Sequence, residues 1–273
     1  MHELQTVEYM NQMDNNIGDK SKMLKWITGS KVLDAGCGGG ALTDELYNTH
    51  GYDAYGIDLS LLSYKSMYDR GLQKRFVHGN LLDMSLYFDE GAFDTIIFSS
   101  VLHEVFSYNG FNYGCVEETL ENAMKILPKG GRIIIRDGVK SPTHSYRRIR
   151  FKDANDILFL TEYCRRFKGR RVNYKMVDKN TFEMLTNDAM EFLYTYTWGW
   201  DSFDREVQEQ YGVFSLAKYE ALAKRIGGEI IYSNEYLQKD YTSHLREKVV
   251  FMNEKGYPVD LPSSNMILVI EKK

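Results

Sequence analysis

The sequence predicts an α/β protein: a doubly wound, mostly parallel seven-stranded sheet with a cap inserted after the fifth strand. Three observations predict it. Short aliphatic runs alternate with stretches of helical period over the first 138 residues. A glycine cluster, GCGGGA from Gly36 to Ala41, follows the first of those runs directly. After Asp137 the alternation breaks for about 65 residues and then resumes. Strands that alternate with helices pair in parallel through right-handed crossovers, and open sheets of this kind bind ligands at their carboxyl edge.

The elements follow in order. Met23, Leu24, Trp26 and Ile27 have the spacing of a short helix that ends at Gly29. Lys31–Ala35 (KVLDA) reads as a buried strand and ALTDELYN as the helix after the glycine turn. Tyr52–Asp58 is a second strand, with a helix from about Ser60 to Arg70 behind it. Phe76–His78 is a short third strand and Phe93–Ser99 a stronger fourth. Glu117–Leu127 has the period of an amphipathic helix and Gly131–Arg136 is the fifth strand. Beyond the interruption come a helix at Leu216–Ile226 and strands at Glu229–Tyr236 and Met266–Glu271, joined by a loop too long for a tight hairpin. Two domains result: 1–138 with 209–273 carries the sheet, and 139–208 is the cap.

Composition narrows the class. With 43% hydrophobic and 26% charged residues and 4 prolines in 273, the chain is globular rather than disordered or fibrous. It shows neither a basic, apolar leader nor a run of roughly 18 apolar residues, so a cytoplasmic location without membrane association is expected. Cys37, Cys115 and Cys164 are far apart and have no ligand spacing, so neither a zinc site nor any other metal is expected. The net charge of -4 is uneven: Pro142–Lys175 holds ten basic and three acidic side chains, about +7, which leaves about -11 elsewhere. A basic island on an acidic chain implies a localised anionic partner.

A turn so rich in glycine lets a ligand approach backbone amides at the next helix's N-terminus, where side chains would collide with it. On its own, GCGGGA fits a nicotinamide dinucleotide and a methyl donor equally. A Walker phosphate loop is excluded, because no GK[ST] closes the turn.

The segments around it separate these. Asp34 ends the first strand and Asp58 the second, in YGIDLS; HGNLLDM follows the third, FDTIIFSSVLHEV covers the fourth, and LPKGGRIIIRDG enters the fifth. In this order, over about residues 20–138, the set resembles the class I S-adenosylmethionine-dependent methyltransferases. The resemblance implies S-adenosylmethionine as cofactor, with S-adenosylhomocysteine as product. It implies that Gly36, Gly38 and Gly40 pass the methionine half of the donor, and that Asp34 orients its amino end. Asp58 would accept both ribose hydroxyls, with Leu59 beside it. Asn80 and Leu81 would meet the adenine, Asn80 standing where many relatives carry Asp and Asp83 serving if the register shifts. Ser99 and Ser100 would lie beside the sulfonium.

Methyl transfer is an in-line displacement that needs alignment and exclusion of water, and a hydroxyl acceptor also needs a base. His103 and Glu104, at the exit of the fourth strand, are the catalytic candidates, with His144 and His244 as further bases. In the cap, FLYTYTWGW alternates, which predicts a strand with Phe192, Tyr194, Tyr196, Trp198 and Trp200 on one face. Tyr196 and Trp198 are therefore candidate acceptor contacts, unless these rings simply form the cap's own small core. Arg147 and Arg150 join them, because arginines interleaved with aromatics suit phosphate recognition. Arg205 and Glu206 are expected in a polar loop leading into a solvated helix, with reach to the active site as the alternative. The expected acceptor is an anionic small molecule, phosphate-bearing or a nucleotide. RNA is the alternative, and a non-catalytic S-adenosylmethionine-binding protein and a nicotinamide oxidoreductase are the competing readings.

Overall fold

A computed structural model describes residues 17–273 of the chain, so residues 1–16 of the expected sheet domain lie outside the described residues. Its strands are β1 (Lys31–Ala35), β2 (Asp53–Asp58), β3 (Phe76–His78), β4 (Thr95–Ser99), β5 (Arg132–Gly138), β6 (Tyr146–Phe151), β7 (Tyr174–Asp178), β8 (Thr181–Leu185), β9 (Gly228–Tyr236), β10 (Val249–Asn253) and β11 (Asn265–Lys272). The chain forms two compact units. One runs up to Asp137 and adds Leu216–Asn234 and Met266–Lys273; the other is Gly138–Ser215 with Glu235–Asn265.

The first unit is built on the seven-stranded sheet, in the order β3-β2-β1-β4-β5-β11-β9. The pairings among β1 to β5 are all parallel, with Asp34 opposite Gly56, Asp58 opposite His78 and Ser99 opposite Arg136. Lys272, at the end of β11, donates its N–H to Gly131 O just before β5, so β11 runs antiparallel to β5. Lys273 likewise donates to Gly227 O just before β9, so β9 is antiparallel to β11 and parallel to the rest. The strand order reverses between β1 and β4, and their carboxyl ends open the crevice where such sheets bind ligands. Val32, Leu33, Ile96, Ile97, Phe98 and Ile133 to Ile135 are all fully buried. That explains why β1, β4 and β5 read as continuous apolar runs and not as alternation.

The second unit holds an antiparallel sheet in the order β10-β6-β8-β7. Two expectations are corrected here. The loop between the last two strands of the main sheet contains a helix, Lys239–Lys248, and β10, which pairs with β6 with Val250 opposite Arg150. Thus 235–265 joins 138–215, and the boundary drawn at 139–208 misses it. VVFMN sits between charged and polar residues and needs a distant partner strand to become sheet.

The alternating aromatic stretch is also not a strand. Thr186–Trp198 is a helix, and ten of its thirteen residues are buried, so no exposed face betrays its period. Phe192 and Tyr196, four apart, stack at 5.4 Å between centroids, while Tyr194 donates to Ser264 O elsewhere in the unit. Residues two apart on a helix point to different sides, so Tyr196 and Trp198 do not share a surface. With Phe151 and Phe159 these rings form the unit's apolar core. Among the described residues no helix is long and apolar enough to cross a membrane.

Candidate functional site

The glycine turn connects β1 to the helix beginning at Ala41, and Gly36 and Cys37 both donate N–H groups to Ile57 O of β2. Gly36, Gly38 and Gly40 all have positive φ, at 77°, 51° and 77°. Their reasons for lacking a side chain differ. A Cβ on Gly36 would sit 2.4 Å from Val101 Cγ2, and one on Gly40 2.3 Å from Met67 Sδ. A Cβ on Gly38 would meet nothing within 4 Å. Packing therefore excludes side chains at the outer two, whereas Gly38 faces open space.

Asp58, at the end of β2, accepts the Gly38 N–H on Oδ2 (2.9 Å) and the Ser60 N–H on Oδ1 (2.8 Å). Its carboxylate is only partly buried and keeps a second lone pair on each oxygen. Ser60 Oγ accepts from Leu62 N–H and caps the helix Leu61–Asp69, so one short segment fixes both the helix start and the carboxylate. Asp34 is 2% exposed and accepts from Thr43 Oγ1 at 2.8 Å, tying β1 to the helix after the turn. Leu59 is exposed beside Asp58. Gly79 donates its N–H to Asp58 O, which puts Asn80, three residues ahead of Asp83, next to this turn. Asn80 Oδ1 caps the following helical turn through Leu82 N–H, and Leu81 is buried.

A second cluster forms where β4 ends. Ser99 is buried and its Oγ has no hydrogen-bond partner. Ser100 adopts φ +58°, a left-handed conformation that costs about 1 kcal/mol for a residue with a Cβ. Two successive residues of β5 hold the chain from Ser100 to His103. Arg136 accepts the Ser100 N–H on its carbonyl and donates from Nη1 to Ser100 Oγ (2.6 Å). Asp137, 1% exposed, accepts the Leu102 and His103 N–H groups on Oδ2 and the His103 ring on Oδ1 (2.7 Å). A carboxylate only accepts, so His103 Nδ1 carries the hydrogen of this bond. His103 is 3% exposed, and Glu104 beside it is half-buried.

Asp137 and Arg136, which hold this cluster together, are the residues that sequence reasoning missed. The available signal is a charged pair closing an otherwise aliphatic strand, IIIRD, where each charge needs a specific partner.

In the second unit the candidates do not assemble. Arg147 and Arg150 are three apart on β6 and project to opposite faces of its sheet. Arg147 donates to Ser145 Oγ and Tyr146 O, and Arg150 to Thr181 Oγ1. Much of the basic island is already paired: Arg148 with Glu183, Arg165 with Glu162, Arg166 with Asp204 and Arg170 with Asp188. Arg205 and Glu206 are buried, not solvated: Arg205 reaches Glu209 at 3.0 Å, and Glu206 accepts from Tyr211 OH at 2.6 Å. Buried charge of this kind is invisible to a pattern that equates polarity with exposure. His144 is exposed, and His244 lies on the helix Lys239–Lys248, its pKa lowered by burial and by Lys248.

Residues 33–135 match the family model of a methyltransferase domain. No curated protein matches the chain in sequence. Among solved structures, a SAM-dependent methyltransferase from Archaeoglobus fulgidus is similar with a TM-score of 0.55 at 11% identity, over 96% of this chain and 94% of that one. A SAM-dependent methyltransferase from Methanosarcina mazei is similar with a TM-score of 0.52 at 14% identity, over 92% of this chain and 96% of that one. The strand order and the glycine turn are those of the fold these structures share, and residues 33–135 within it are similar to a methyltransferase domain.

Proposed function

We propose that the chain binds S-adenosylmethionine along the glycine turn and transfers its methyl group to an anionic small-molecule acceptor. The observation that carries the donor site is the pair formed by Gly38 and Asp58. An open surface over bare backbone adjoins a carboxylate that is pre-oriented by two amides and still has two acceptor lone pairs. Two ribose hydroxyls need those two acceptors, and the amino-acid tail needs the bare backbone. The buried, unpartnered Ser99 Oγ supports a ligand at the same edge, because a native buried hydroxyl normally has a partner. On this reading Asp34 orients the amino end through the turn, Leu59 and Leu81 cover the base, and Asn80 accepts on its second lone pair.

S-adenosylmethionine supplies an electrophilic methyl on a sulfonium. What this chain's residues do is align and deprotonate. Gly36 and Gly40 keep the turn tight, and Ser99 with Ser100 shapes the exit of β4. His103 is proposed as the base, its ring held by Asp137 and Nε2 taking the acceptor's proton as the new bond forms. Glu104 is the second acid–base candidate.

For the acceptor, the excess of arginine and lysine between 142 and 175 supports a phosphate-bearing molecule or nucleotide. The carboxylate partners of Arg148, Arg165, Arg166 and Arg170 shrink that surface, which disfavours a long RNA track. Arg147 and Arg150, being on opposite faces, are to be tested as single variants. The His103–Asp137 pair favours catalysis over a donor-sensing role.

Titration calorimetry with S-adenosylhomocysteine tests the donor site. The full-length chain should bind one equivalent, and Asp58→Ala should weaken it by about 100-fold, as expected for losing two charge-assisted hydrogen bonds. Equal affinity in Asp58→Ala, or binding of NADH in place of S-adenosylhomocysteine, contradicts the proposal.

A further inference from the structure

Arg136 follows Ile133–Ile135 in β5, stands opposite Ser99 of β4 and is 3% exposed. A guanidinium cannot stay there without a counter-charge. Its counter-charge comes from the far end of the sequence: Nε and Nη2 both contact Asp19 Oδ2, at 2.7 and 2.5 Å. The other oxygen of Asp19 takes the Lys22 ammonium. Arg136 Nη1 also donates to Ser100 Oγ, and its own carbonyl takes the Ser100 N–H. A single side chain therefore joins the segment around Asp19 to the left-handed residue that aims the exit of β4.

We propose that Arg136 is a positioning residue that couples the Asp19 segment to the turn Ser99–His103, so that docking of that segment and binding of the methyl donor reinforce each other. This rests on the donor site proposed above. With Asp19 in place the guanidinium is neutralised and fixed, Ser100 is clamped in its left-handed turn, and the Ser99 hydroxyl and the His103 ring keep their places. Without Asp19, Arg136 loses the carboxylate that takes its Nε and Nη2, and the β4 exit loses that tie to the segment. Coupling of this kind is reciprocal: whatever the segment contributes to donor affinity, the donor returns as protection of the segment.

The experiment uses the full-length chain and S-adenosylhomocysteine, with Asp19→Asn and Asp19→Glu rather than changes at Arg136, which would leave the sheet itself damaged. Calorimetry should show affinity reduced about tenfold in Asp19→Asn and largely restored in Asp19→Glu. Hydrogen–deuterium exchange should show that ligand slows exchange at 19–26 and 100–107 in the wild type, and only at 36–60 in Asp19→Asn. Affinity within twofold of wild type in Asp19→Asn, with the same ligand protection at 19–26, overturns the inference. A wild-type chain that binds no S-adenosylhomocysteine overturns the donor site instead, so the two failures are distinct.

Discussion

Gly38→Ala is expected to lose methyl-donor binding while the protein stays folded. The added methyl group would enter the open space over the turn, where nothing of the chain lies within 4 Å, and would occupy van der Waals space that a bound amino-acid tail needs. Overpacking of that kind costs about 1–3 kcal/mol, or roughly 5- to 150-fold in affinity. The change in the folded state is the left-handed conformation at φ +51°, about 1 kcal/mol, which lowers the melting temperature by roughly 2–4 °C in a chain of this size. Gly36→Ala and Gly40→Ala reverse the balance. They drive a Cβ into Val101 and Met67, both buried, and are expected to lower the melting temperature by roughly twice as much or more. Calorimetry and thermal unfolding on the three variants check this. If Gly38→Ala binds S-adenosylhomocysteine normally, the open face of the turn is not the donor site.

Asp137→Asn should lower methyl transfer on the order of 10²- to 10⁴-fold with little effect on donor affinity. Asp137 accepts on both oxygens, from the ring on one and from two main-chain N–H groups on the other. An asparagine has one accepting atom, so its NH2 must face a donor or force the imidazole into the tautomer that protonates Nε2. His103→Ala should have the same effect, and the double variant should be no worse than either alone, as for groups that act as one unit. Incorporation of isotopically labelled methyl groups into the small molecules of a cell extract measures the rate whichever of them is the acceptor. Wild-type incorporation by both single variants would remove His103 as the base and favour an acceptor that needs none.

The sheet was legible because its signals are local. Strands β1, β4, β5 and β11 are apolar runs, and the glycine turn, Asp34 and Asp58 announce themselves by type and position. What escaped depends on partners distant in sequence. Phe192 to Trp198 alternate like a strand but form a helix buried on nearly every side, so neither period showed an exposed face. Val249–Asn253 becomes a strand only because Tyr146–Phe151 lies beside it. Arg205 and Glu206 are charged and buried because each finds its partner within the same short segment, and the clustered arginines mostly neutralise nearby carboxylates. Asp137 and Arg136 matter through Ser100, Leu102 and His103, more than thirty residues earlier in the chain.

The most direct test of the donor site is a crystal structure of the full-length chain grown with S-adenosylhomocysteine. The two ribose hydroxyls should lie within hydrogen-bond distance of the Asp58 carboxylate, and the amino-acid tail should run across Gly38. Ligand density elsewhere on the chain, with Asp58 and Gly38 untouched, would contradict it.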